Sequence, residues 1–220
     1  MKRIVYILLL LLCFFNIGYV NADSLDKAYD YTYEEINVDL ASKYVILYNL
    51  KDNYKLLDIK SSERVQVASL TKIMTCIVAI ENINNLDEKI SINSNVFSGI
   101  SEYSKAGFNI GDKVTYRDLL YGAMLPSGAD AVNALALLTA PSMSKFIDMM
   151  NAKVKELGLE DTHFQNVVGL YDKDNYSSAY DIAQILLYSL NNEKFKTVFT
   201  TKEYTLSNGI RVSRSVDYYN

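Results

Sequence analysis

The chain has 220 residues, with 22 Lys and Arg against 26 Asp and Glu and a single His. Half of it is apolar and Gly and Pro are few (9 and 2), which excludes a disordered, collagen-like or low-complexity protein and leaves room for a domain with a real core. A net charge of −4 without any basic run argues against nucleic acid as a partner, and one His with two Cys is too few for a Cys/His zinc site.

Lys2 and Arg3 precede an almost purely apolar run, Ile4 to Phe15, and Val20-Asn21-Ala22 places small residues where a signal peptidase cuts. Residues 1–22 therefore read as a secretory signal peptide, with an uncleaved membrane anchor as the alternative. Its removal leaves a net charge of −6 and only Cys76, so no internal disulfide is expected in a mature chain that acts outside the cytoplasm. Residues 23–36, polar and Tyr-rich, read as a leader to a domain over 37–220.

Val38 to Tyr48 and Tyr54 to Ile59 predict two strands joined by a turn at Lys51-Asp52-Asn53. Leu70, Ile73, Met74, Ile77 and Val78 then recur at helical spacing, an apolar stripe on a helix starting near Ser69. Thr115 to Asp118 has the pattern of a capping box opening a helix to about Leu125, and Pro126-Ser127-Gly128 breaks it. An Ala-rich helix follows from Ala129 to Leu138. Another starts at Pro141-Ser142 and ends before Gly158, and Ser178 caps a further one to about Leu190. Tyr204–Ser207, Asn208-Gly209 and Ile210–Ser213 predict a hairpin with a type I′ turn. Strands, then helices, then strands imply an α+β or three-layer domain whose sheet draws on both chain ends.

A Ser-x-x-Lys pair on a helix has a mechanism behind it. Both side chains lie on one face, one turn apart. A neutral Lys can take the Ser proton, and burial lowers its pKa enough to do so. A Ser in the first turn also sits where backbone N–H groups favour a developing oxyanion. The pattern occurs at Ser24/Lys27, Ser69/Lys72 and Ser142/Lys145. The first lies in the leader, and an N-cap role explains Ser142. Ser69 opens an apolar helix in which Lys72 is expected to be partly buried, which is costly without a role.

Ala68-Ser69-Leu70-Thr71-Lys72-Ile73-Met74-Thr75 resembles the nucleophile motif of the serine-type D-alanyl-D-alanine carboxypeptidases, low-molecular-weight penicillin-binding proteins. Further stretches resemble the same family in order: Ala41 to Asp58, Gly111 to Thr115, Asp118 to Leu120, Leu125 to Ala131, and Leu157 to Leu170. The resemblance implies a β-lactamase/transpeptidase-like fold, an antiparallel sheet packed against helices plus a helical subdomain, with the sheet incomplete at the C-terminus. It implies Ser69 as acylated nucleophile, Lys72 as its proton acceptor and Ser127 as proton relay to the leaving group, within a Ser-x-x-Lys, Ser-x-Asn, Lys-Thr-Gly pattern.

Two departures stand out. Ala129 replaces the Asn of Ser-x-Asn, beside Asp130, so Ala129 and Asp130 mark the substrate-binding position. Lys196-Thr197-Val198 is the nearest string to Lys-Thr-Gly and comes too early in the family order. The chain is thus expected to stop before the strand that carries the third motif. The implied substrates are peptidoglycan stem peptides and the implied inhibitors β-lactams, with no cofactor and no metal. Attachment to a membrane surface is expected only through a missing C-terminal region. A non-catalytic wall-binding protein and a serine β-lactamase are the competing readings, and no Glu-x-x-Leu-Asn loop supports the second. His163 and Asn166 are expected to hold their loop, and Cys76 to be a buried small hydrophobe.

Overall fold

The structure is a computed structural model that describes residues 40–51 and 54–214. The predicted signal peptide, the leader and Ser24/Lys27 lie outside the described residues, as do Val38 and two residues of the first turn.

The first strand, β1 (Val45–Asn49), begins later than predicted: the described residues before Val45 are not strand. It pairs antiparallel with β2 (Tyr54–Ile59) through a register shift between Leu47 and Tyr48. Gln184 Nε2 donates to the Tyr48 hydroxyl at 3.0 Å and ties this ribbon to a later helix. A 3₁₀ turn, Ala68–Leu70, leads into α1 (Thr71–Asn82). The stripe on α1 predicts one buried face, yet ten successive residues, Thr71 to Ile80, are buried. The reason is position: α1 runs through the middle of the fold and touches each of the other five helices described here. A helix enclosed on all sides needs apolar or internally satisfied side chains all round.

Two three-residue strands, β3 (Lys89–Ser91) and β4 (Lys113–Thr115), pair antiparallel on either side of a 3₁₀ turn at Ser94–Phe97. The predicted capping box opens α2 (Tyr116–Met124). The Asp118 amide donates to Thr115 Oγ1 at 3.1 Å, and the Thr115 amide donates to Asp118 Oδ2 at 2.7 Å. The Ala-rich segment is α3 (Ala129–Thr139), whose small side chains let α1 and α2 approach closely. Ser142 caps α4 (Met143–Glu156), accepting from the Lys145 amide at 3.2 Å, and Lys145 pairs with Asp148. This second Ser-x-x-Lys is therefore a helix cap. Ser178 caps α5 (Ala179–Leu190) in the same way.

An unpredicted helix, α6 (Glu193–Thr200), follows with Asn192 as its cap and buries Phe195 and Val198. The last hairpin, β5 (Glu203–Thr205) and β6 (Arg211–Ser213), is present with a different turn. Gly209 donates to the Leu206 carbonyl at 2.8 Å and has φ +87°, while Asn208 does not have positive φ. A type I′ turn needs positive φ at both central residues. This is a type I turn closed by a left-handed glycine, a G1 bulge. The hairpin rests on α2: the Tyr204 ring stacks on Tyr121 with centroids 3.8 Å apart, and the Ser207 amide donates to Asp118 Oδ1.

The class is α+β. The described residues nevertheless hold three separate two-stranded antiparallel sheets, not one sheet drawing on both chain ends.

Candidate active site

Ser69 sits in the 3₁₀ turn that feeds α1, and Lys72 in the first turn of α1 itself. The preceding residue, Ala68, has φ +43°, a left-handed conformation uncommon outside glycine. Ser69 is exposed while Lys72 is 6% exposed. Lys72 Nζ donates to Ser69 Oγ at 2.9 Å and to the Val168 carbonyl oxygen at 3.1 Å. Burial pulls the Lys72 amine down from 10.5 to about 8, opposed only weakly by Cys76 one turn further on. The Cys76 thiol is fully enclosed and pushed up to about 12, so it stays protonated and acts as an apolar filler. An amine that is partly neutral near pH 8, within hydrogen-bond reach of an exposed hydroxyl, can accept that hydroxyl's proton.

The Val168 carbonyl belongs to a loop that the sequence marked only in outline. Asn166 Oδ1 accepts from the amides of Val168, Gly169 and Leu170 at 3.3, 2.8 and 2.9 Å, and its Nδ2 donates to the Leu170 carbonyl at 3.1 Å. Thr75 on α1 donates to the Val167 carbonyl at 2.8 Å. Asn151 on α4 brackets Phe164 with one bond to its carbonyl and one from its amide. His163 exchanges two backbone bonds with Tyr176, and its Nδ1 meets the Asp174 carbonyl. Both His163 and Asn166 hold the loop, as expected of them.

Ser127 lies between α2 and α3 with φ +59°, half-buried. Among the described residues it makes no hydrogen bond to Ser69 or Lys72, so the geometry pairs the first two and leaves the third unjoined. The expectation of a substrate-facing Ala129 and Asp130 needs correction, because neither side chain reaches solvent: they are 1% and 0% exposed. The Asp130 carboxylate is taken up by the amides of Ala106, Gly107, Phe108 and Ala131 at 2.7 to 3.2 Å. It clamps the 106–108 loop onto the start of α3. Lys196-Thr197-Val198 is on α6, a helix, so it cannot serve as a strand motif.

Two surface clefts of about 340 Å³ lie elsewhere, one beside Leu50, Leu157 and Tyr188 and one beside Glu81, Met149 and Lys153. Neither includes Ser69 or Lys72, and neither gathers a nucleophile with a base, so chemistry rather than concavity locates the site. Among the described residues no group of three or more His, Cys, Asp or Glu is placed to hold a metal ion.

The profile of the D-alanyl-D-alanine carboxypeptidase family matches residues 31–219. The chain belongs to this family. It is 40% identical over 155 residues to the D-alanyl-D-alanine carboxypeptidase of Streptomyces sp. strain K15, covering 64% of this chain and 52% of that protein. It is 36% identical over 164 residues to the carboxypeptidase DacF of Bacillus subtilis, covering 72% and 42%. The chain thus spans about half the length of the curated relatives it matches. The crystal structure of the Streptomyces K15 DD-transpeptidase superposes with a TM-score of 0.73 at 33% identity, covering 81% of this chain and 73% of that one. Penicillin binding protein 6B from Escherichia coli superposes at 0.69 with 30% identity, over 74% and 54%. The penicillin-binding fold expected from the motifs is therefore present.

A stability consequence follows from the buried amine. The folded pKa of Lys72 is depressed, so between about pH 8 and 10.5 the unfolded chain binds a proton that the folded chain has released, and stability rises with pH. Below pH 8 both states carry the charge and the burial penalty, on the order of 3 kcal/mol, is present in full. Lys72→Met removes that penalty and forfeits two hydrogen bonds. The variant is expected to be about 1–2 kcal/mol more stable than wild type at pH 7. That advantage should shrink as the pH is raised toward 10. Paired thermal melts between pH 7 and 10 check it, and a Met variant that melts lower at pH 7 contradicts it.

Proposed function

We propose that the chain is a serine D-alanyl-D-alanine carboxypeptidase domain acting through an acyl-enzyme at Ser69. The observation that carries this is the 2.9 Å contact between the Lys72 amine and the Ser69 hydroxyl, with the amine's pKa lowered to about 8. Ser69 Oγ attacks the carbonyl carbon of the penultimate D-Ala while its proton passes to neutral Lys72. The tetrahedral oxyanion faces the Ser69 backbone N–H at the head of α1. The C–N bond then breaks and the terminal D-Ala amine leaves with a proton delivered through Ser127. Water hydrolyses the ester and returns Ser69. β-Lactams acylate the same hydroxyl because their strained amide occupies the place of the scissile bond. Peptidoglycan stem peptides as substrates imply work in the cell envelope, reached through a signal peptide at residues 1–22.

A second reading, a wall-binding protein without turnover, draws on one observation. Ala129 presents no polar atom where the family pattern has Asn. Fluorescent penicillin followed by intact-mass measurement separates the two. Wild-type chain is expected to gain one covalent adduct and Ser69→Ala none. An adduct that survives Ser69→Ala overturns the nucleophile. Absence of any adduct on folded wild type, with retained binding to peptidoglycan, gives the second reading the lead.

A further inference from the structure

We propose that Asn166 is a positioning residue for Lys72: it shapes the 166–170 loop so that the Val168 carbonyl holds one Lys72 N–H and turns the nitrogen lone pair toward Ser69. This rests on the reading of Lys72 as proton acceptor.

A neutral amine has two N–H donors and one lone pair, and it rotates freely about its last bond unless something holds it. Only the lone pair can receive the Ser69 proton. Lys72 makes two hydrogen bonds among the described residues, to Ser69 Oγ and to the Val168 carbonyl oxygen. A hydroxyl can donate or accept, so Ser69 does not by itself orient the amine. A carbonyl only accepts, so Val168 must take an N–H. Ala129, buried in the second motif, has no polar atom to share that task. Orientation of the amine therefore falls to one backbone oxygen.

Asn166 in turn fixes that oxygen. Its carboxamide makes four bonds, all to the backbone of residues 168–170, and touches neither Ser69 nor Lys72. On the α1 side, Thr75 takes the Val167 carbonyl and Lys72 the Val168 carbonyl. Two successive carbonyls thus meet side chains one turn apart on the same helix. The loop also abuts the backbone that carries the nucleophile, since a Cβ on Gly169 would lie 1.8 Å from the Ala68 carbonyl oxygen. Asn166 acts through these contacts, at one remove from the reacting atoms.

The test uses the full 220-residue chain and a fluorescent penicillin, with Asn166→Ala and Asn166→Asp. Asn166→Ala is expected to lower the maximal acylation rate by about tenfold or more, with the half-saturating concentration changed less than about threefold. Asn166→Asp keeps the three accepting bonds and is expected to restore the maximal rate to within about threefold of wild type. Its new carboxylate favours the charged amine through space, so the rate midpoint moves to higher pH, while a lowered maximal rate with an unchanged half-saturating concentration in Asn166→Ala is what separates positioning from binding. If Asn166→Ala melts below the assay temperature, the Asp variant alone carries the comparison. A folded Asn166→Ala with the wild-type maximal rate overturns the proposal, as does an Asp variant that is slow with an unmoved midpoint. If wild type takes no penicillin, the catalytic reading is what has failed, and ¹³C NMR of lysine-labelled chain then decides this inference. With the Lys72 signal assigned through Lys72→Met, a titration midpoint displaced by about half a unit or more in Asn166→Ala supports it. Coincident curves overturn it.

Discussion

Gly169→Ala is expected to cost the protein about 3 kcal/mol or more, and to lower its melting temperature by roughly 6–12 °C. Gly169 has φ +85°, where any side chain is strained, and that alone accounts for about 1 kcal/mol. The rest is contact. The added Cβ would sit 1.8 Å from the Ala68 carbonyl oxygen and 2.3 Å from its carbon, and neither is the end of a side chain that could swing away. Ala68 already has positive φ and directly precedes Ser69. Either the loop withdraws and takes the Val168 carbonyl from Lys72, or Ala68 withdraws and takes Ser69. On both routes the 2.9 Å contact opens, and under the proposed mechanism a displacement near 1 Å is worth about a hundredfold in acylation rate. Gly158→Ala is the control: φ there is +67° and nothing lies within 4 Å of the added atom. Thermal melts and penicillin labelling of both variants settle the matter. Equal losses at the two glycines would contradict the contact argument.

Asp130→Ala is expected to be comparably severe, about 3–5 kcal/mol, read by urea denaturation. The carboxylate is fully enclosed and satisfies four amides, one of them in the first turn of α3, where negative charge is favoured. Ala leaves those amides without acceptors, three of them on buried residues. Asp130→Asn keeps one oxygen and turns an NH₂ toward an amide, so roughly half the loss is expected. The 106–108 loop and the start of α3 flank Ser127, and penicillin labelling should fall with stability. An Asp130→Ala chain within 1 kcal/mol of wild type, on the scale of an ordinary surface change, would show that water replaces the carboxylate.

The parts of the molecule legible in sequence are those whose physics is local. The caps at Thr115, Ser142 and Ser178 depend on a side chain and an amide three residues on, and all three are formed. Ser69 and Lys72 are one turn apart, so their contact could be anticipated from spacing. What is not legible in sequence depends on distant partners or on segments too short to carry a pattern. Asp130 finds its amides 22 to 24 residues back in the chain. The β3 and β4 strands are three residues each, too short for alternation to register. Helix α6 is rich in Thr, Val and Phe and is held by burying Phe195 and Val198, not by propensity. The start of β1 at Val45 is not legible in the sequence, because strand-forming residue types do not show where pairing begins. The Asn166 clamp has one local sign: an Asn side chain can accept from the amide two residues on in an Asx turn, here that of Val168.

The enclosure of α1 also bears on how this protein can change. Ten residues in a row, Thr71 to Ile80, beginning right after Leu70, face packed interior. In such surroundings a gain or loss of even one methylene is felt by every neighbour. Substitutions along this helix therefore have little freedom. Room for change lies at exposed positions such as Leu70, the residue after Ser69, where a new side chain meets solvent and not the packed interior.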